Sequence, residues 1–215
     1  LKEKGFAPNS DFDVDNLVEE KGRIRMVLPK TTNYQIGLVL REGDLLSELN
    51  KEVKHGNFDI VIMGSPHRKR MTNKISQFLD TSIFFVKNFN PNWNYKILLC
   101  VDDSRATKRA VILSTRISKQ FDAEITSLTV SKTSFFGKGY RNAHVWAERY
   151  LKRIGIPFNS KLLSGNPVEV FVNEAGEDHI IIMGKAKGNE ILKFILGSKP
   201  IHTAQRANCS VLLVN

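Results

Sequence analysis

Two stretches of the chain share one hydrophobic pattern. Residues 59–64 (Asp-Ile-Val-Ile-Met-Gly) and 179–184 (His-Ile-Ile-Ile-Met-Gly) are short apolar runs that end in Met-Gly. Runs of this length, with β-branched residues and no polar alternation, are typical of parallel strands buried on both faces. A second apolar run follows each of them, at residues 82–86 and 210–214. The pattern therefore predicts an internal repeat built on parallel strands.

A glycine turn and an amphipathic segment precede each Met-Gly strand. Asp44 and Asn166 are good helix N-caps, and Pro167 is tolerated in a first helical turn. The pattern predicts a strand, a glycine turn and a helix, at residues 36–40, 43 and 45–53 in the first copy and at 158–163, 165 and 167–175 in the second.

Only the second copy has a further half in front of these elements. Apolar runs and helical spacing there predict strand, helix, strand and helix, at residues 95–101, 106–121, 124–130 and 143–154. Residues 94–215 therefore predict a complete α/β domain with a doubly wound parallel sheet, right-handed crossovers and a ligand site at the carboxyl ends of the strands. Residues 1–33 offer only one helix, near 17–27, so residues 1–90 predict an incomplete or degenerate copy of the same domain.

Charge and cysteine content narrow the class of protein. The net charge is +10, and it is uneven: residues 1–93 hold 14 Lys and Arg against 12 Asp and Glu, and residues 94–215 hold 18 against 10. A basic domain attracts anions such as nucleotide phosphates. Cys100 and Cys209 lie inside apolar runs, which favours reduced thiols and a cytoplasmic protein. The sequence has no apolar run long enough to span a membrane, and no secretory leader is visible.

Three motifs of the second copy resemble the universal stress protein family. They are an apolar strand that closes in Val101-Asp102-Asp103-Ser104, a helix start at Gly165-Asn166-Pro167, and a signature that runs from Met183-Gly184 to Gly197-Ser198. The last is similar to the Gly-x2-Gly-x9-Gly-Ser/Thr signature of ATP-binding members. The resemblance covers nearly all of residues 94–215 and is weaker over 34–88, and tandem members are common in the family.

The resemblance implies a five-stranded sheet of order 3-2-1-4-5 and an adenine nucleotide, ATP or AMP, bound with or without Mg²⁺. Asp102 and the backbone at Val130 would meet adenine or ribose. Phosphate would be bound by the backbone of the signature glycines, by the Ser198 hydroxyl and by the positive charge of nearby lysines. The expected cofactor-binding residues are Val101, Asp102, Val130, Met183, Gly184, Lys187, Gly197, Ser198 and Lys199.

Two departures from the signature bear on that site. Lys187 stands where the family has its second glycine, and two interpretations stay open: its ammonium replaces the lost backbone contact, or its Cβ blocks the approach of the ligand. In the first copy, Gly64 is followed by Ser-Pro-His and by no Gly-Ser before the last strand. The first copy is therefore not expected to bind nucleotide.

In the family's sheet two strands separate the third from the fourth, and the first copy offers equivalents only of the third, fourth and fifth. Either residues upstream of Leu1 supply the missing strands, or the copy is a half-domain whose edges are covered by the second copy or by another chain.

We find no nucleophile beside a base and no Walker sequence, so we expect a regulatory module rather than an enzyme, with slow ATP hydrolysis left open. It would act through an unidentified protein partner and form a homodimer. Neither a metal site nor nucleic-acid binding is expected. The alternatives are a dimerising scaffold without nucleotide and the soluble tail of a membrane transporter.

Overall fold

The computed structural model describes residues 17–20, 23–26, 41–64, 69–133, 137–185 and 199–215. They belong to two units, Leu1–Leu49 and Asn50–Asn215. The predicted strand at 36–40 lies outside the described residues.

The first unit contains a β-hairpin where the sequence predicted a helix. Strands β1 (Leu17–Glu20) and β2 (Arg23–Met26) pair antiparallel, with Leu17 opposite Met26. The helix near 17–27 was therefore wrong. The sequence has a glycine at position 22, and glycine is unfavourable in a helix interior.

The helix predicted over 45–53 is confirmed as α1 (Leu45–Gly56), which begins in the first unit and ends in the second. Asp44 precedes it as predicted for an N-cap, and its Oδ2 accepts a hydrogen bond from the Ser47 backbone N–H at 3.0 Å.

The second unit contains one mostly parallel sheet of seven strands. In chain order the strands are β3 (Ile60–Gly64), β4 (Ser82–Val86), β5 (Lys96–Val101), β6 (Ile125–Ser131), β7 (Phe158–Ser164), β8 (His179–Gly184) and β9 (Ser210–Val214). Their order in the sheet is β3-β4-β9-β8-β5-β6-β7. Within the second copy this is the expected 3-2-1-4-5 arrangement, with all pairs parallel.

The sheet does not stop at the five strands predicted for the second copy. Strand β4 of the first copy pairs antiparallel with β9, with Phe84 opposite Leu212. Strands β3 and β4 thus belong to the same sheet as the five strands of residues 94–215. Periodicity could not predict this junction, because it does not specify which strands of two copies meet.

Helices cover both faces of the sheet. They are α2 (Lys69–Phe78), α3 (Arg105–Phe121), α4 (Lys138–Ile154), α5 (Pro167–Glu174) and α6 (Lys199–Arg206). Helix α3 packs with α4 and the central strands, whereas α5 packs with α6, and α6 also packs with α2. The Ser104 side chain caps α3 by accepting from the Thr107 backbone N–H, and Asn166 caps α5 in the same way from Val168.

Candidate functional site

The carboxyl ends of the central strands enclose a cavity of about 230 Å³. This is the edge at which open α/β sheets bind ligands. Strands β5, β6 and β8 and helices α4, α5 and α6 each contribute to its wall. The lining residues are Cys100, Val101, Asp102, Val130, Tyr140, Pro167, Phe171, Met183, Gly184 and Lys199.

The cavity brings together six of the nine residues that the sequence singled out. The six are Val101, Asp102, Val130, Met183, Gly184 and Lys199. The other three, Lys187, Gly197 and Ser198, lie outside the described residues, so both interpretations of Lys187 stay open. The residues brought together come from both ends of the second copy, which is what the sheet order requires.

Asp102 is held by the first turn of α3. Its Oδ1 accepts a hydrogen bond from the Ser104 backbone N–H at 3.0 Å and one from Thr107 Oγ1 at 2.5 Å. Among the described residues nothing bonds Oδ2, which leaves that oxygen for a ligand. Asp102 therefore supports the start of α3 and also contributes a polar group to the cavity.

Gly184 is required by packing between β8 and α3. A Cβ built on it would lie 2.7 Å from the carbonyl carbon of Ala106 and 2.8 Å from the backbone nitrogen of Thr107. These are backbone atoms and cannot move aside easily. The sequence argument placed this glycine for close approach to phosphate, whereas the geometry shows close approach to a helix.

Four lining residues were not predicted: Cys100, Tyr140, Pro167 and Phe171. Tyr140 lies in the first turn of α4, which begins five residues before its predicted start. The prediction began too late because Gly137 and Gly139 are typical of loops. Helical spacing from the apolar side of α4 could have extended the helix back to Tyr140.

Burial raises the pKa of both thiols. The pKa of Cys100 lies well above its usual range, first because the thiol is buried and then because Asp102 is near. Burial also raises the pKa of Cys209, to about 11. Both cysteines are unpaired. Such thiols are poor nucleophiles, so Cys100 contributes apolar lining rather than reactivity.

The doubly wound sheet and its cavity define a class of α/β protein that binds ligands at strand ends. Within that class, the model of the universal stress protein family matches residues 94–215, more than half of the chain. The chain therefore belongs to the universal stress protein family.

Two solved structures with TM-scores above 0.5 show the same fold. A universal stress protein from Archaeoglobus fulgidus DSM 4304 has a TM-score of 0.65 and 17% identity over 80% of this chain and 66% of its own. A putative universal stress protein from Pseudomonas aeruginosa UCBPP-PA14 has a TM-score of 0.59 and 14% identity over 80% and 69%. A universal stress protein solved in complex with cAMP has a TM-score of 0.47 and 20% identity over 56% and 97%.

The chain spans just under two thirds of the length of the A. fulgidus protein. No curated protein sequence matches it. In the part of the chain that the structure describes, no helix is both long and apolar enough to cross a membrane. The same residues contain no group of three His, Cys, Asp or Glu side chains that could hold a metal ion.

Proposed function

We propose that the second copy binds an adenine nucleotide, ATP or AMP, in this cavity and that the protein acts as a regulatory module. The observation that carries the proposal is the meeting of Asp102, Val130, Gly184 and Lys199 around one cavity at the carboxyl ends of the strands. Asp102 and Gly184 belong to separate sequence motifs, and the sheet order brings them to the same cavity.

The lining suits a base and its sugar. Val101, Val130, Pro167, Phe171 and Met183 form an apolar slot, as expected for a planar base. A volume of about 230 Å³ is below the range of about 300–1,000 Å³ that is usual for ligand pockets, so this cavity suits a nucleoside better than a whole triphosphate.

The polar groups have separate roles in this proposal. Oδ2 of Asp102 accepts a hydrogen bond from a ribose hydroxyl. Lys199, in the first turn of α6, offers its positive charge to phosphate, where the helix N-terminus also favours an anion. A bound nucleotide would itself supply the acceptor oxygens on which Mg²⁺ is held.

The described lining favours a binding role over a catalytic one. Among the described residues that line the cavity, Asp102 is the only carboxylate, and its Oδ1 already accepts hydrogen bonds from Ser104 and Thr107. Fast hydrolysis needs a base within hydrogen-bond reach of the attacking water. The output we propose is a contact with another protein, made by a homodimer in the cytoplasm, where unpaired buried thiols such as Cys209 stay reduced.

Isothermal titration of the chain with AMP and with ATP, each with and without Mg²⁺, tests the nucleotide site. Asp102→Asn should weaken AMP binding about tenfold or more, because a hydrogen bond to a charged acceptor is lost. Asp122→Asn is the matched control, since Asp122 is a left-handed helix C-cap that asparagine accepts. No heat from the wild-type chain with either nucleotide at millimolar concentration would overturn the proposal.

A further inference from the structure

One residue beside the cavity is bonded to the first copy. Lys185 directly follows Gly184, and its backbone N–H donates to the Val214 carbonyl at 2.6 Å. Its side-chain Nζ donates to the backbone carbonyl of Leu79, which is the residue after α2. The residue that follows Gly184 is thus hydrogen-bonded to the end of the first copy's helix α2.

The same short segment receives two more hydrogen bonds from the second copy. The backbone N–H of Asn215 donates to Ser82 Oγ at 3.2 Å, and Asn215 Nδ2 donates to Asp80 Oδ1 at 3.1 Å. Helix α6, which begins at the cavity residue Lys199, packs against α2. The end of β8 and the start of α6, which both border the cavity, therefore contact α2 or the segment that follows it.

The contact at Leu79 is one that helix chemistry favours. The last carbonyls of a helix have no intrahelical donor and carry partial negative charge, so an ammonium group is a suitable partner. Leu79 is only 1% exposed. Removal of the donor would leave a carbonyl in a buried setting, where an unmade hydrogen bond is costly.

This geometry changes the expected role of Lys185. Lys185 lies within the signature from Met183 to Ser198, near which the resemblance implied lysine charge for phosphate. Its ammonium instead lies against a backbone carbonyl of the first copy. A lysine used in this way orients the strand end that carries Gly184.

We infer that Lys185 is a positioning residue through which α2 of the first copy sets the affinity of the second copy's nucleotide site. The inference rests on the proposed function. Coupling between two places is reciprocal, so nucleotide in the cavity must in turn stabilise α2. The first copy, which lacks the family's phosphate signature, thereby becomes the part of the chain that responds to occupancy.

The test combines titration with hydrogen exchange of residues 69–79, measured by mass spectrometry on the whole chain with and without AMP. In the wild type, AMP should slow exchange in α2. Lys185→Met should abolish that slowing and weaken AMP binding about fivefold or more. Lys185→Arg, which keeps a cationic donor, should restore both. Lys119→Met removes an exposed lysine from the last turn of α3 and should match the wild type.

Ligand-free exchange separates this effect from misfolding, since Lys185→Met should speed exchange in 69–79 while β5 and β6 stay protected. Asn215→Ala, which removes only the bond to Asp80, should give a smaller loss of coupling. AMP binding with unchanged α2 exchange in the wild type would overturn the inference and leave the proposed function standing. A wild-type chain that binds neither AMP nor ATP would overturn both.

Discussion

Strands β3 and β8 have nearly the same sequence and different surroundings. Ile62 and Ile182 occupy the same position in the repeat, because each directly precedes a Met-Gly pair. Ile182 is 0% exposed, because β8 lies between β5 and β9 and under α3. Ile62 is 68% exposed, since β3 is the outermost strand of the sheet among the described residues. The hydrophobic pattern thus specified the strand in both copies, whereas burial depended on which neighbours each copy has.

The glycines at the ends of these strands differ in the same way. A Cβ on Gly184 would meet the backbone of α3 at 2.7 Å, whereas a Cβ on Gly64 would meet no described residue within 4 Å. One Met-Gly sequence is therefore needed for packing in the second copy and not in the first. A motif repeated in sequence need not have the same packing role at both of its positions.

The largest expected difference between the copies concerns the two isoleucines. Ile182→Ala should lower the free energy of unfolding by about 2–5 kcal/mol, because it opens a cavity in a packed core. Ile62→Ala should change it by no more than about 0.5 kcal/mol, as expected for an exposed site. Urea unfolding at pH 7 measures both. Equal losses would show that the open face of β3 is covered in solution.

The glycine pair should give the next largest difference. Gly184→Ala should cost about 1–3 kcal/mol in the free energy of unfolding, because the methyl group meets backbone atoms of α3. Gly64→Ala should stay within about 0.5 kcal/mol. Neither glycine has a positive φ, so the comparison isolates packing from backbone strain. Thermal and urea unfolding of the two variants provide the measurement, and similar costs would reject the packing explanation.

The helices and strands of the second copy could be predicted from its sequence, because their hydrophobic patterns and helix start signals are clear. Strand β8 is a continuous β-branched run, and Asn166 and Pro167 mark the start of α5. The family resemblance supplied the strand order. The hairpin at 17–26 was missed because a short stretch of alternating charged and apolar residues fits a helix and a strand about equally well.

The candidate site was predicted only in part. Asp102 and Gly184 were found because they belong to local motifs at strand ends. Tyr140 and Phe171 were missed because they reach the cavity from helices, where aromatic residues at helical spacing usually pack in a core. The pairing of β4 with β9, and with it the contact between Lys185 and Leu79, depends on long-range packing that no local pattern specifies.

The smallest expected effect concerns an ion pair of the second copy whose acidic position is occupied by an apolar residue in the first copy. Lys96 Nζ lies 2.9 Å from Asp178 Oδ2 and joins the starts of β5 and β8. Phe58 occupies the position of Asp178 in the first copy. The hydrogen bond from Lys96 lowers the pKa of Asp178 below its usual value of 3.8. The same bond raises the pKa of Lys96 above its usual value of 10.5.

These directions fix the pH range in which the pair stabilises the fold. A carboxyl with a lowered pKa in the folded state stabilises it above pH 3.8, and this stability is lost as the pH falls through the folded pKa. An amine with a raised pKa stabilises it below pH 10.5, and this is lost as the pH rises through the folded pKa. The gain is small, because the pair is exposed and screened by salt.

Asp178→Asn should therefore lower the free energy of unfolding slightly at pH 7, and the difference from the wild type should shrink as the pH falls below 3.8. It should also shrink at high salt. Urea unfolding between pH 2.5 and 7, at low and high salt, measures this. Asp59→Asn, at the start of β3, is the matched control, because no described residue bonds that carboxylate. If both variants showed the same pH dependence, the ion pair would not distinguish the two copies.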